Sequence, residues 1–219
     1  MGKKIGLWMI AVVVTLGAAY WQKTTGPTYA VRGTVVVGGA EVPLRLERSQ
    51  SGDSDQRVRV ATDDAEISGE VRWRRFPTDD PWTVVPMRRG RHWIEAALPN
   101  QPPAGKLEYQ VRLSRRGEHE VFPPLPAVTR FKGEVSPYVL VPHVLAMFVG
   151  MLLSTRAGLE AATRAGDARR LTMHTLGFLA VGGLVLGPMV QKAAFGAYWT
   201  GVPFGWDLTD NKLLVAAAA

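Results

Sequence analysis

Apolar residues run almost unbroken from Ile5 to Trp21, from Tyr138 to Leu153 and from Leu171 to Val190. Between Thr28 and Val135 they recur instead at every second position. A helix rising about 1.5 Å per residue needs roughly 18 to 20 apolar residues to cross a hydrocarbon core of about 30 Å. The third run reaches that length alone, and the second does so with its flanks, Pro137 and Ser154–Leu159. The pattern predicts a membrane helical hairpin whose turn is the polar link Ser154–Arg170. It also predicts an N-terminal span.

Charge orients these spans. Lys3 and Lys4 precede the first, and Arg156, Arg164, Arg169 and Arg170 fall in the link. Basic residues collect on the cytoplasmic side, which puts the N-terminus and the link inside and residues 28–135 and 195–212 outside. The first run is longer than most signal-peptide cores, and Ala18-Ala19-Tyr20 is a poor cleavage site. Tyr20 and Trp21 suit an interfacial aromatic belt. The expectation is an uncleaved anchor over residues 1–27, with a bacterial inner or intracytoplasmic membrane as its setting.

In the middle, Val42, Leu44 and Leu46 alternate with polar residues, as do Val58 and Val60, Val71 and Trp73, and Leu107, Tyr109, Val111 and Leu113. Such alternation marks strands with one buried face. Turn signals at Gly38-Gly39, Ser49–Asp55, Pro77–Pro81, Pro99–Gly105 and Arg116-Gly117 separate them. Seven to nine short strands at this spacing predict an all-β sandwich over residues 28–135. Val121–Pro126, with Pro123, Pro124 and Pro126, reads as a stiff extended segment. Val71–Arg74, Trp82–Met87, Trp93–Pro99 and Leu107–Val111 resemble bacterial fibronectin-III or immunoglobulin-like modules. That resemblance implies a Tyr on the last strand beside a proline-rich turn such as Pro102–Gly105. It implies nothing about chemistry.

Composition narrows the function. The mean hydropathy of +0.01 averages apolar ends with a charged middle. There is no cysteine, which excludes disulfides, thiolate metal sites and cysteine nucleophiles. The net charge of +7 resides largely beside the spans, and in the middle region acids nearly match bases. A nucleic-acid reader would show an unmatched basic face, so that class is set aside.

The candidate chemistry lies mostly in the membrane region, residues 136–219. His143 and His174 fall inside spans, where ionisable residues are functional candidates and a neutral imidazole can ligate haem iron or a pigment magnesium. They sit near opposite faces, so one shared haem is not expected; a helix-end hydrogen bond is the competing reading for each. Asp207 and Asp210, with Asn211, could bind a hard cation, or could cap a helix start. Glu118-His119-Glu120 reads as a solvated hairpin, since alternation sends His119 to the opposite face. Arg74-Arg75 and Arg88-Arg89 could meet anionic headgroups or an acidic partner, against a solvated surface. Gly182, Gly183 and Gly187-Pro188 predict close helix packing and a kink. Trp199 and Trp206 lie in the aromatic segment Phe195–Lys212, suited to an interface or a partner. Neither a Ser/His/Asp nucleophile set nor a phosphate loop is evident.

The hairpin from Met147-Phe148 through Thr155-Arg156-Ala157-Gly158-Leu159-Glu160, followed by Asp207-Leu208-Thr209-Asp210-Asn211-Lys212, resembles a group of poorly characterised bacterial inner-membrane proteins. In that group further membrane helices follow. The resemblance implies that Leu213-Leu214-Val215 and the alanines after it open a fourth span.

The expected function is a non-catalytic accessory or scaffold subunit of a multi-subunit bioenergetic membrane complex, photosynthetic (reaction-centre or antenna) or respiratory. Its expected partners are other membrane subunits and the lipid bilayer. No resident cofactor is expected beyond a pigment or haem contact at the histidines. The alternative is a membrane redox or ion-transport protein using His143, His174, Asp207 or Asp210.

Overall fold

The computed structural model describes residues 2–164 and 166–218; Met1, Ala165 and Ala219, within the expected anchor, link and final run, lie outside the described residues. The chain divides into two compact units. One is Gly26–Glu134; the other joins the residues up to Thr25 to those from Val135 onward.

The first unit is built from strands where the sequence alternates. β1 (Val31–Val37) and β2 (Ala40–Leu46) form an antiparallel hairpin. At its tip Gly38 and Gly39 have φ of 51° and 76°, the pair of positive values that a two-residue type I′ turn requires. The short β3 (Ser49–Ser51) and then β4 (Gln56–Ala61), β5 (Ser68–Arg75), β6 (Thr83–Pro86), β7 (Arg88–Arg89), β8 (Trp93–Leu98), β9 (Lys106–Arg115) and β10 (Glu118–Lys132) follow. Arg116 and Gly117, with φ of 50° and 85°, turn β9 back into β10 in the same way. One sheet runs β3-β10-β9-β5-β6 and another β4-β8-β7. β9 lies between β10 and β5, as strand F lies between G and C in immunoglobulin-type sandwiches. β3 pairs parallel with β10, and the other pairings in that sheet are antiparallel. Tyr109 sits on β9, not on the last strand; the Arg116-Gly117 turn adds one strand more after it.

The apolar members of the alternation form the core. Val37, Leu44, Leu46, Val58, Val60, Val71, Ile94, Leu98, Leu107, Val111, Leu113 and Phe131 are all buried. A polar network crosses it. The Tyr109 hydroxyl donates to the Glu47 carbonyl at 2.6 Å, the Gln56 amide donates to the same carbonyl at 3.0 Å, and Thr129 donates to Gln56 Oε1 at 2.6 Å. Burial pushes the Tyr109 hydroxyl far above its usual range, so it remains a protonated donor. Tyr109→Phe should cost the sandwich about 1 kcal/mol in chemical denaturation, the net worth of one hydrogen bond. The loss stays that small because Gln56 still satisfies the Glu47 carbonyl.

The proline run is accommodated rather than excluded. Pro123, Pro124 and Pro126 carry no N–H, and the β10–β9 register shifts between Phe122 and Ala127. The buried Gln110 amide donates to the carbonyls of Pro123 and Pro124 in place of the missing ladder.

The second unit is helical. α1 (Gly2–Thr25) and α2 (Pro137–Thr163) are continuous. The third long helix consists of α3 (Ala168–Leu179), a π-helical stretch Ala180–Leu186, and α4 (Gly187–Phe195); α5 (Leu208–Ala218) follows. Among the described residues, three helices are long and apolar enough to cross a membrane: Gly2–Thr25, Pro137–Thr163 and Ala168–Phe195. The turn between the second and third is shorter than the expected link. α2 continues through Ser154–Thr163, where Ala157, Leu159, Glu160, Ala161 and Ala162 favour helix. It ends at Arg164 in a left-handed conformation, and Asp167 then caps α3 by accepting from the Arg170 N–H. Arg156 is therefore a residue of α2, not of a solvated link.

Candidate functional site

Three polar clusters stand out among the described residues of the helical unit. The first is Arg156, 1 % exposed. Its Nη2 lies 2.5 Å from Glu160 Oε1, one turn along the same helix, and its guanidinium stacks on Trp8 of α1 at 5.3 Å. Nε and Nη1 have no hydrogen-bond partner among the described residues. Gly166 closes the other side: a Cβ there would come within 2.8 Å of both Glu160 carboxylate oxygens. Hydropathy does not reveal this cluster, because it counts every Arg as polar. The signal for it was the Arg156/Glu160 spacing, which places the two on one helix face.

The second place is the contact between α2 and the π-helical stretch. His143 donates from Nδ1 to the Gly182 carbonyl at 2.8 Å, an acceptor shared with the Gly187 N–H. A carbonyl accepts only, so the proton is on Nδ1. The glycines do what their positions predict. A Cβ on Gly182 would meet that of Ala146 at 2.8 Å, and one on Gly183 would meet Leu213 Cδ1 of α5 at 2.4 Å. A Cβ on Gly187 would stand 3.7 Å from His143 Cε1. These close approaches are to other helices of the same chain. The irregular stretch falls just before Pro188, which lacks the N–H that a regular turn would use.

The third place is the loop between α4 and α5. Asp210, 7 % exposed, accepts at Oδ2 from the backbone N–H groups of Thr200 (2.7 Å) and Gly201 (3.0 Å), from Gln191 Nε2 (3.1 Å) and from the Thr200 hydroxyl (3.3 Å). Asn211 Oδ1 accepts from the Val202 N–H, and the Trp199 indole donates to the Val202 carbonyl. Asp207 Oδ1 accepts from Thr209 N, an N-terminal cap for α5. The two carboxylates thus engage different donors. A cation at Asp210 Oδ2 would have to displace N–H groups already converging there. Among the described residues no group of three or more His, Cys, Asp or Glu could hold a metal ion. The clamped loop leaves Phe204 and Trp206 82 % and 85 % exposed.

His174 stands apart from these clusters. It is exposed on α3, with Nδ1 donating to the Arg170 carbonyl of its own helix at 2.6 Å. It lines an apolar groove of about 480 Å³ with Ala146, Met173, Gly177, Phe178 and Val181.

On the sandwich, the arginine pairs divide. Arg74 binds Glu108 across the β5–β9 pair at 2.5 Å, and Arg72 binds Gln110 beside it; both guanidiniums stack on Trp82, at 4.8 and 5.2 Å. Arg89 donates to the carbonyls of Ile67 and Thr62. Arg75 and Arg88 are exposed. His119 pairs with Ser114 at 2.7 Å, while Glu118 accepts from the Gly38 N–H. Asp64, held by the Glu66 N–H and by Arg115 and Arg116, has its carboxyl below the usual range.

No protein-family model matches the chain, and no curated protein matches it.

Proposed function

We propose that this chain is a non-catalytic accessory subunit of a multi-subunit bioenergetic membrane complex. It is anchored in a bacterial inner membrane by its long helices, with its N-terminus cytoplasmic and its sandwich periplasmic. The observation that carries this reading is the α4–α5 loop. A buried carboxylate with four donors holds the loop fixed, and the loop presents Phe204 and Trp206 outward. Rigid, exposed aromatics are the typical anchors of protein interfaces, because little side-chain entropy is lost when they are covered. His143 and Asp210 are used to hold helices and loop together, which suits a scaffold. Lys3 and Lys4 beside α1, and Arg164, Arg169 and Arg170 at the α2–α3 turn, supply the inward bias of charge.

The test is purification through a tag on this chain from its own membrane in mild detergent, followed by mass spectrometry and an absorption spectrum. The expected result is stoichiometric recovery with the subunits of one large complex. Recovery of the chain alone would overturn the proposal.

A further inference from the structure

We infer that His174 and its groove form a binding site for a haem-type metalloporphyrin carrying carboxylate side groups. The inference goes beyond the accessory role and rests on the bilayer placement of the third helix. Six residues into α3, His174 lies about 9 Å from the helix start, at the edge of the hydrocarbon rather than in water. Its Nδ1–H is committed to the Arg170 carbonyl, which leaves Nε2 as a bare lone pair. Metal-bound histidines characteristically donate their other N–H to a backbone carbonyl in this way, fixing tautomer and ring orientation.

The surroundings select the occupant. The groove of about 480 Å³ falls in the range of cofactor sites, and its other lining residues are apolar. Acyl chains could fill the volume but would leave the imidazole lone pair unsatisfied. A metal at the centre of a flat apolar ring satisfies both. Gly177, one turn beyond His174 on the same face, has nothing within 4 Å of where a Cβ would stand, so a flat ring meets no side chain there. One turn before His174, toward the membrane surface, Arg170 is exposed and makes no ion pair with a described residue. Its guanidinium, with the exposed Arg169, provides charge for carboxylates at the rim of the macrocycle. That feature favours a porphyrin with free acids over an esterified one. His143 offers the same tautomer but no such space: it is half-buried between α2 and the π-helical stretch, its ring edge against Gly187.

The experiment is titration of the full chain, purified in detergent, with iron protoporphyrin, read by the Soret band and by the spin state of the iron. Saturable one-to-one binding with a histidine-ligated spectrum is expected. His174→Ala should weaken binding at least tenfold and abolish that spectrum, and added imidazole should restore it. Arg170→Gln should weaken binding about fivefold to tenfold without moving the band. Helix content by circular dichroism should be unchanged in each variant, since both side chains are exposed. An unsaturable titration, a spectrum unchanged by His174→Ala, or a spectrum lost instead on His143→Ala would each overturn the assignment.

Discussion

Glu160→Gln should destabilise the helical unit by about 3–5 kcal/mol, the cost of leaving one member of a buried ion pair without its partner. Arg156 is 1 % exposed, and Glu160 is the acid paired with it in the structure. Nε and Nη1 are already without partners among the described residues, so no second acceptor is in place to take over. The stack on Trp8 means that the strain falls on the α1–α2 contact first. Thermal unfolding in detergent should show the loss, and a protease cutting near the N-terminus should gain access to α1. Replacing both charges, as in Arg156→Met with Glu160→Leu, should recover most of the stability, because similar apolar volume carries no desolvation penalty. A Glu160→Gln protein as stable as the parent would mean that the guanidinium is hydrated rather than buried.

Asp210→Ala should release the α4–α5 loop. The substitution removes the acceptor for two backbone N–H groups and the Gln191 amide, and a buried donor left unmade costs about 1–3 kcal/mol. The expected readout is local: hydrogen exchange at Thr200 and Gly201 about 100-fold faster, with the sandwich unaffected. Asp210→Asn, which keeps one acceptor oxygen, should fall between. If the loop is the anchor proposed above, the same variant should lower recovery of the partner subunits while the chain itself remains in the membrane. Unchanged exchange at Thr200 and Gly201 would show that the loop is held by something other than this carboxylate.

How much of this was legible in the sequence depends on the range of the interaction concerned. The long apolar helices and the strands are legible because their signals are local: an unbroken apolar run for the first, strict alternation for the second. The Gly38-Gly39 and Arg116-Gly117 turns were legible because few residue pairs accept two positive φ values. The packing role of Gly182 and Gly183 could be read, but not that α2 and α5 would be the helices they meet. Hydropathy alone does not fix the end of α2, because Arg156 and Arg164 look alike to it. Only their partners, Glu160 and Trp8 for the first, separate a buried guanidinium from an exposed one. The sequence offers Asp210 as a cation ligand or a helix cap. Its actual donors come from residues nine to nineteen positions earlier, brought back by a loop whose path no local pattern encodes.

The π-helical stretch acts as a gear in the third helix. One turn of π-helix amounts to one residue more than a regular α-helix would hold, and each residue of an α-helix turns the axis by about 100°. That residue sets the face α4 presents relative to α3. As built, Gly182 meets α2, Gly183 meets α5, and Gln191 lies within reach of Asp210. With a residue removed from Ala180–Leu186, α4 would rotate by more than a quarter turn and carry Gln191 off the clamp. The phase of the exposed aromatic loop is thereby tied to that of α3 through a single unit of backbone, held by the hydrogen bond that His143 Nδ1 donates to the Gly182 carbonyl.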